Sequence, residues 1–224
     1  TRRAADEIED RIVNQIGDMP ENIWVGTIHK FCLEYIVRGY SSYSEHFSKK
    51  FQIMGEQDTR ELQQDLKTKY GANNYEEIDF TLNSSGQPNE VIYNELVKEY
   101  YRMIFKLNKI DFNYILFESF KILNENEHIR KQLATKIDLI CIDEFQDTQE
   151  LQYQILSLMA NENMDIKIFI VGDVNQAIYD GVGGVVKTIE DLSTIFRRDF
   201  EDLTLTRCYR SNQEVIDFYR NFAV

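Results

Sequence analysis

The 224 residues are 43% hydrophobic and 12% aromatic with only 2 Pro, a composition that excludes a disordered chain and supplies enough apolar surface for a substantial core. No apolar run approaches the roughly 20 residues that a membrane-spanning helix needs, so we expect no membrane segment. The formal charge of −13 repels nucleic acid at long range, so any DNA binding must depend on a local basic or polar groove.

The three cysteines, Cys32, Cys141 and Cys208, are widely separated and form no CxxC pair. Their odd number and spacing fit reduced thiols better than a disulfide framework or a zinc site, which predicts a cytoplasmic protein. The first residues contain neither an initiating Met nor an apolar secretory core. We therefore interpret the chain as a segment of a longer protein.

The first 37 residues predict a helix, a strand and a second helix. Apolar residues recur every four positions at Ala4, Ile8, Ile12 and Ile16, and the sequence GDMP at 17–20 predicts the end of this helix. The sequence IWVGTI at 23–28 is short, apolar and β-prone, and helical spacing follows it. This pattern predicts a strand that leads into a helix.

The middle of the chain, from about residue 38 to 133, is polar and rich in Lys, Glu, Gln and Asn. Its apolar residues have helical periodicity, and one turn-forming stretch, NSSGQP at 83–88, interrupts them. This stretch predicts a mainly helical insertion.

Two apolar runs, IDLICI at 137–142 and IKIFIV at 166–171, are typical of strands inside a parallel sheet that is covered on both faces. A helical stripe between them predicts a βαβ unit with a right-handed crossover. A weaker strand at 202–206 precedes a capping-box pattern at 211–214 that predicts a last helix. The expected fold class is therefore α/β, a parallel sheet with flanking helices.

Polar residues follow each predicted strand, at the edge where parallel α/β sheets bind their ligands. Asp143 and Glu144 follow the first strand, Gln176 the second, and Tyr209 and Arg210 the third. One strand-end carboxylate can hold Mg²⁺ directly or through water, which makes Asp143 the candidate metal ligand. Glu144 could then deprotonate a water that attacks a γ-phosphoryl group, with Gln176 and Arg210 contacting the developing charge. Tyr209 offers a flat ring on which a base could stack.

Each of these signals has a simpler interpretation when it is taken alone. Asp143 and Glu144 could merely begin a helix, where acidic residues are favoured. Gln176 alone is more often a surface amide, and Tyr209 a packing ring. His29 is by itself more often a hydrogen-bonded, semi-buried side chain than a ligand. The functional hypothesis therefore depends on their combination.

Five sequence blocks, in this order, resemble motifs Ia, Ib, II, III and IV of the UvrD/Rep family of superfamily 1 DNA helicases. They are TRRAADEIEDRI (1–12), VGTIHKFC (25–32), LICIDEFQDTQELQ (139–152), IFIVGDVNQAIY (168–179) and LTRCYRS (205–211). The resemblance implies a RecA-like ATPase motor domain formed by residues 1–37 and 134–224, interrupted by a mainly helical insertion subdomain at 38–133. It also implies an ATP-dependent helicase that moves 3′ to 5′ along single-stranded DNA, unwinds duplex DNA and serves DNA repair.

The resemblance implies a role for each matching residue. Asp143 would serve Mg²⁺ and Glu144 would be the catalytic base. Gln176 and Arg210 would contact the γ-phosphate of ATP, and Tyr209 would stack on its adenine. The residues implied along single-stranded DNA are Thr1, Thr27, His29 and Tyr179.

Three departures from the family pattern lead to further expectations. The 224 residues contain no GxxxxGK[ST] phosphate-binding loop, and they contain no second motor domain with motifs V and VI. We therefore expect the isolated segment to be inactive and the remainder of its own chain to be its partner. Gly181 and Val182 stand where the family has an aromatic residue and an Arg, which predicts weaker stacking on single-stranded DNA.

Two alternative functions stay open. A non-catalytic DNA-binding or scaffold relative of the motor is favoured by Gly181 and Val182. The motor half of a larger helicase–nuclease machine is the other. The retained Asp143 and Glu144 argue against the first alternative, and nothing in the sequence addresses the second.

Overall fold

A computed structural model of the chain describes residues 2–47, 50–176, 184–205, 207, 209, 211 and 213–220. The chain divides into two compact units, Thr1–Gln132 and Leu133–Val224. This division lies close to the predicted boundary at 133/134. The assignment of residues 1–37 to the same domain as 134–224 stays a prediction.

Several predicted positions lie outside the described residues, so their roles remain predictions. They are Thr1, Tyr179, Gly181, Val182 and Arg210.

The described residues of the first unit form mainly helices and irregular loops, with two very short strands. Its elements are α1 (Arg2–Ile16), α2 (Ile28–Phe31) with a π-helical continuation (Cys32–Val37), a 3-10 turn (Ser41–Tyr43), β1 (Gln52–Ile53), α3 (Glu56–Tyr70), α4 (Asn94–Lys106), β2 (Lys109–Ile110), α5 (Phe112–Glu125) and α6 (Glu127–Ala134), the last two residues of which belong to the second unit. β1 and β2 pair in parallel. The helices α3 to α6 agree with the helical periodicity of this stretch, and its status as an insertion stays a prediction.

Aromatic side chains of α4 and α5 form much of the core of the first unit. Tyr100 and Tyr114 are almost completely buried. The Tyr100 hydroxyl donates to Asp111 Oδ2 at 2.8 Å, and Asp111 Oδ1 accepts from the Tyr114 backbone N–H at 2.8 Å, which caps the start of α5. Burial raises the pKa of Asp111. These hydrogen bonds fix α5 against α4 within the first unit.

The second unit contains the predicted βαβ arrangement. Its elements are β3 (Leu139–Ile142), a 3-10 turn (Phe145–Asp147), α7 (Glu150–Ala160), β4 (Lys167–Ile170), a 3-10 turn (Val174–Gln176), α8 (Ile189–Phe196) and α9 (Gln213–Arg220). β3 and β4 pair in parallel, with Leu139 opposite Lys167 and Ile142 opposite Ile170. The two parallel strands and the helix that joins them confirm the predicted strand–helix–strand order of residues 137–171, and the right-handed crossover stays a prediction.

One face of this sheet packs beneath α7 and α8. Four residues of the two helices form the buried cluster: Tyr153, Ala160, Leu192 and Phe196. Alternate strand residues pack against it: Ile140, Ile142, Ile168 and Ile170. Arg198, just after α8, donates to the backbone carbonyls of Ala160 and Ile166 and so ties this end of α8 to the βαβ unit.

The opposite face of the sheet carries exposed side chains, whereas the sequence predicts a sheet that is covered on both faces. Leu139 is 54% exposed and Phe169 is 53% exposed. Because side chains alternate along a strand, the residues between the packed isoleucines all point to this second face. Among the described residues of the second unit, therefore, helices pack on one face of the sheet only.

Two predicted strands are wrong. The predicted strand at 23–28 does not form, since α2 begins at Ile28, and residues 202–205 of the predicted strand at 202–206 form no strand either. Leu203 and Leu205 are largely exposed. Residue 206 lies outside the described residues. A strand forms only when a neighbouring strand accepts and donates its hydrogen bonds, and β-propensity alone does not supply that neighbour.

None of the described helices is long and apolar enough to cross a membrane.

Candidate functional site

The parallel pairing of β3 and β4 brings the loops that follow them to one edge of the sheet. The Val171 N–H donates to the Ile142 carbonyl at 2.8 Å, and the Phe145 N–H donates to the Val171 carbonyl at 3.1 Å. The Tyr153 hydroxyl, on α7, donates to the Phe145 carbonyl at 2.8 Å. These bonds extend the strand pairing past the strand ends and hold the first loop against the second.

Glu144, the predicted general base, has a left-handed backbone with φ 52° and ψ 49°. This conformation costs a residue with a side chain about 1–2 kcal/mol. The Glu144 N–H donates to Asp143 Oδ1 at 3.0 Å, and both side chains are exposed. Backbone strain of this kind concentrates at functional sites, so the strained turn supports a functional role for this loop.

A continuous series of hydrogen bonds joins the two loops, and we call its five residues the strand-end network: Asp143, Glu144, Gln146, Asp173 and Gln176. The Gln146 Nε2 donates to Glu144 Oε2 at 2.6 Å, and the Asp173 backbone N–H donates to Gln146 Oε1 at 3.1 Å. The Gln176 Nε2 donates to Asp173 Oδ2 at 3.0 Å. The structure therefore brings the predicted metal ligand, the predicted base and the predicted phosphate-sensing amide into one connected group.

Gln146 and Asp173 are members of this network that the sequence reasoning missed. Gln146 is only 4% exposed, and its side chain links the two loops directly. The sequence feature that indicates a role for Gln146 is its position in the same block as Asp143 and Glu144. The signal was weak because its loop partner, Asp173, lies 27 residues away along the chain.

Gly172 is required by the close approach of the two loops. A Cβ atom at this position would lie 2.3 Å from Gln146 Oε1 and 2.5 Å from Phe145 Cδ1. A contact this short forces the loop or the buried amide to move. Gly172 is therefore part of what keeps the network assembled.

We expect Gly172→Ala to destabilise the protein by about 1–3 kcal/mol, as overpacking of a tight site usually does. Urea unfolding of the 224-residue chain measures the change. Gly55→Ala is the control for open space, because Gly55 has φ −70° and a Cβ atom there would meet nothing within 4 Å. Gly55 is the N-cap of α3, where Gly is preferred over Ala, so the control should lose about 0.5–1 kcal/mol and less than Gly172→Ala. Equal effects of the two substitutions would contradict this explanation of Gly172.

The donor set at this edge fits a Mg²⁺ ion that binds together with a nucleotide. Mg²⁺ keeps several waters and typically takes one or two protein carboxylates plus substrate phosphates. Asp143 supplies an exposed carboxylate at the strand end. Among the described residues, no group of three or more His, Cys, Asp or Glu side chains could form a cage of protein ligands around a metal. Asp143 is therefore suited to a shared ion rather than to a closed metal site.

Tyr209, the predicted adenine platform, is 84% exposed. The Arg207 guanidinium lies 4.9 Å from the centroid of its ring, a cation–π contact. Arg207 was not singled out from the sequence. The contact orients the Tyr209 ring, and the exposed side chain is accessible for stacking.

Thr27 and His29, predicted to lie along DNA, belong to the first unit. Thr27 is the N-cap of α2, and its Oγ1 accepts from the Lys30 backbone N–H at 3.2 Å. His29 is mostly buried, with its ring edge-on to Phe112 at 6.0 Å. Burial lowers the pKa of His29 to about 4, so the imidazole is neutral at pH 7.

Comparisons with known proteins agree on one family. The sequence profile described as UvrD/REP helicase N-terminal domain matches residues 1–197. The chain is 26% identical to the ATP-dependent DNA helicase UvrD1 of Mycobacterium tuberculosis, covering 96% of this chain and 31% of that protein. It is 26% identical to DNA helicase II of Escherichia coli, covering 96% of this chain and 32% of that protein. It is also 33% identical to a probable DNA helicase of Mycoplasma pneumoniae, over 62% of this chain and 25% of that protein. The chain thus spans about a third of the length of its curated relatives.

Proposed function

The chain belongs to the UvrD/REP helicase family, and from that membership we propose that the full-length protein is an ATP-driven motor that moves along single-stranded DNA. We also propose that the full-length protein unwinds duplex DNA in the 3′-to-5′ direction. We further propose that it lies in the cytoplasm and serves DNA repair. The inactivity of residues 1–224 by themselves is also proposed. The observation that carries the proposal is the strand-end network, which joins Asp143 and Glu144 to Gln176.

The network supports a division of labour among its side chains in ATP hydrolysis. The Asp143 carboxylate would hold Mg²⁺, which neutralises charge on the β- and γ-phosphates when it is bound. Gln146 engages Oε2 of Glu144 at 2.6 Å, and the other oxygen can accept the proton of the attacking water. Gln176 would contact the γ-phosphate and connects through Asp173 to the same loop. In this proposal a change at the phosphate reaches the base through these hydrogen bonds and the residues that they join.

Two residues outside this network complete the proposed nucleotide site. Tyr209 would stack on the adenine with its ring oriented by Arg207, and Arg210 would contact the γ-phosphate. These roles follow from the family resemblance of the LTRCYRS block. The exposure of Tyr209 is compatible with its role.

DNA binding is proposed at Thr27 and His29, together with Thr1 and Tyr179. The overall charge of −13 disfavours nucleic acid, so the contacts must be short-range. Thr27 fixes the start of α2, which places His29 in its first turn. Because burial holds His29 neutral, its imidazole would donate a hydrogen bond rather than pair as a cation.

His29→Ala in the full-length protein should weaken binding of a short single strand by roughly twofold to tenfold, the effect of one hydrogen bond. The slope of log affinity against log salt should not change, because a neutral side chain releases no counterion. Affinity measured by anisotropy at several salt concentrations tests both parts. His128→Ala, at an exposed histidine of the same unit, is the control. A slope reduced by about 0.7 would show instead that His29 binds as a cation.

The competing function is a non-catalytic DNA-binding or scaffold protein, which Gly181 and Val182 favour. ATP hydrolysis by the purified full-length protein, measured with and without a single-stranded oligonucleotide, discriminates the two. The motor predicts hydrolysis that the oligonucleotide stimulates. DNA binding without any hydrolysis would support the scaffold and contradict the motor. A fused nuclease would appear as degradation of the oligonucleotide in the same assay.

A further inference from the structure

We propose that Gln146 is a positioning residue that couples the phosphate-contacting loop to the general base, a role that rests on the proposed ATPase function. Gln146 would touch neither the nucleotide nor the attacking water. It would act by holding the Glu144 carboxylate in place while it senses the position of the loop at Asp173.

The chemistry of an amide suits this position. A carboxylate only accepts hydrogen bonds at neutral pH, and a backbone N–H only donates. The carboxylate therefore needs a donor, and the Gln146 Nε2 donates to Glu144 Oε2 at 2.6 Å. The backbone N–H needs an acceptor, and the Gln146 Oε1 accepts from the Asp173 N–H at 3.1 Å. A side chain with two acceptor ends or with none cannot satisfy both partners. Gln146 therefore links the two loops through both ends of one side chain.

The surroundings of Gln146 make this link stiff. Its side chain is 4% exposed, so water has little access to the amide itself. Gly172 brings the backbone of the second loop so near that a Cβ atom would lie 2.3 Å from the Gln146 oxygen. A displacement of the second loop therefore has to move the amide or break its bond. Either result changes the orientation of Glu144.

The order of the hydrogen bonds gives the inferred coupling a direction, from the phosphate-contacting loop towards the general base. Gln176 bonds to the side chain of Asp173, and the backbone of Asp173 bonds to Gln146. Contact of Gln176 with a γ-phosphate would pull on Asp173 and thereby set the position of the amide. The base would then be oriented best when a nucleoside triphosphate is bound.

The test uses Gln146→Met in the full-length protein, which keeps the length of the side chain and removes both hydrogen bonds. We expect kcat for DNA-stimulated ATP hydrolysis to fall by about tenfold to a hundredfold, by analogy with the loss of a hydrogen-bond partner that orients a metal ligand. The KM for ATP should change little, because Gln146 does not touch the nucleotide. Gln154→Met is the matched control, since the Gln154 Nε2 also donates to a carboxylate, Glu150 Oε1 at 3.2 Å, within α7 and away from the strand ends. Its kcat should equal that of wild type.

A double-mutant cycle with Glu144→Gln separates positioning from mere support of the fold. If Gln146 acts through the base, Gln146→Met should lower the single-turnover rate in the wild-type background and have no further effect once Glu144 is replaced. An equal reduction in both backgrounds would overturn the inference, and so would a wild-type kcat in Gln146→Met. If the Met variant fails to fold, Gln146→Asn serves in the same cycle, because its shorter side chain cannot reach both partners.

The failure of this inference is distinguishable from the failure of the proposed function. A wild-type protein that does not hydrolyse ATP in the presence of DNA would contradict the proposed function itself. A wild-type protein that is active, with Gln146 variants that are equally active, would contradict only the coupling role.

Discussion

Replacing Glu144 with Gln in the full-length protein is expected to lower DNA-stimulated ATP turnover by a factor on the order of a hundred or more, as loss of a general base usually does. Nucleotide binding should stay largely intact, because the proposed phosphate and metal contacts come from other side chains. Steady-state hydrolysis with saturating oligonucleotide, combined with equilibrium binding of an ATP analogue, measures both quantities.

The structure makes this substitution a clean one. Gln has the same length as Glu, and its amide oxygen can still accept the hydrogen bond from Gln146. Both residues meet the same cost in the left-handed backbone at φ 52°, so the thermal midpoint should not change. Glu190→Gln, at an exposed carboxylate on α8 in the same unit, is the control and should turn over like wild type. Wild-type turnover in Glu144→Gln would remove Glu144 from the mechanism.

Asp143→Ala is expected to have a different effect, which is to weaken Mg²⁺-dependent nucleotide binding by roughly tenfold or more. A contact to a charged group contributes about 1.5–3 kcal/mol, and about 1.4 kcal/mol corresponds to tenfold in affinity. Titration of a fluorescent ATP analogue at several Mg²⁺ concentrations measures the change.

Asp143→Asn tells whether charge or loop geometry is responsible. The Asn oxygen can still accept from the Glu144 N–H, as Asp143 Oδ1 does at 3.0 Å, but the negative charge is gone. If Asp143 serves the metal, Asn should weaken binding nearly as much as Ala. An Asn variant with wild-type affinity would show that Asp143 only shapes the turn at Glu144.

The parts of the fold that the sequence predicted well are those in which local pattern and final packing agree. The apolar runs at 137–142 and 166–171 became β3 and β4, and the stripe between them became α7. Because the strands are parallel and in register, their carboxyl ends meet at one edge, so the residues after them were expected to be neighbours. Asp143, Glu144 and Gln176 are neighbours for this reason.

The parts that the sequence did not predict depend on contacts between distant residues. The β-prone residues 23–28 and 202–205 form no strand, because a strand needs a partner that its own sequence does not specify. The exposed side chains of Leu139 and Phe169 depend on what covers the sheet rather than on the strands themselves. The role of Gln146 depends on a loop that lies 27 residues further on. None of these contacts leaves a periodic signal in the sequence.

Strand separation by the purified full-length protein tests the central claim most directly. The substrates are two duplexes of identical sequence, one with a 3′ single-stranded tail and one with a 5′ tail, incubated with ATP and Mg²⁺. The proposed motor should separate the 3′-tailed duplex, should act much less on the 5′-tailed one, and should lose this activity in Glu144→Gln. Binding of both substrates with no ATP hydrolysis and no strand separation would contradict the claim.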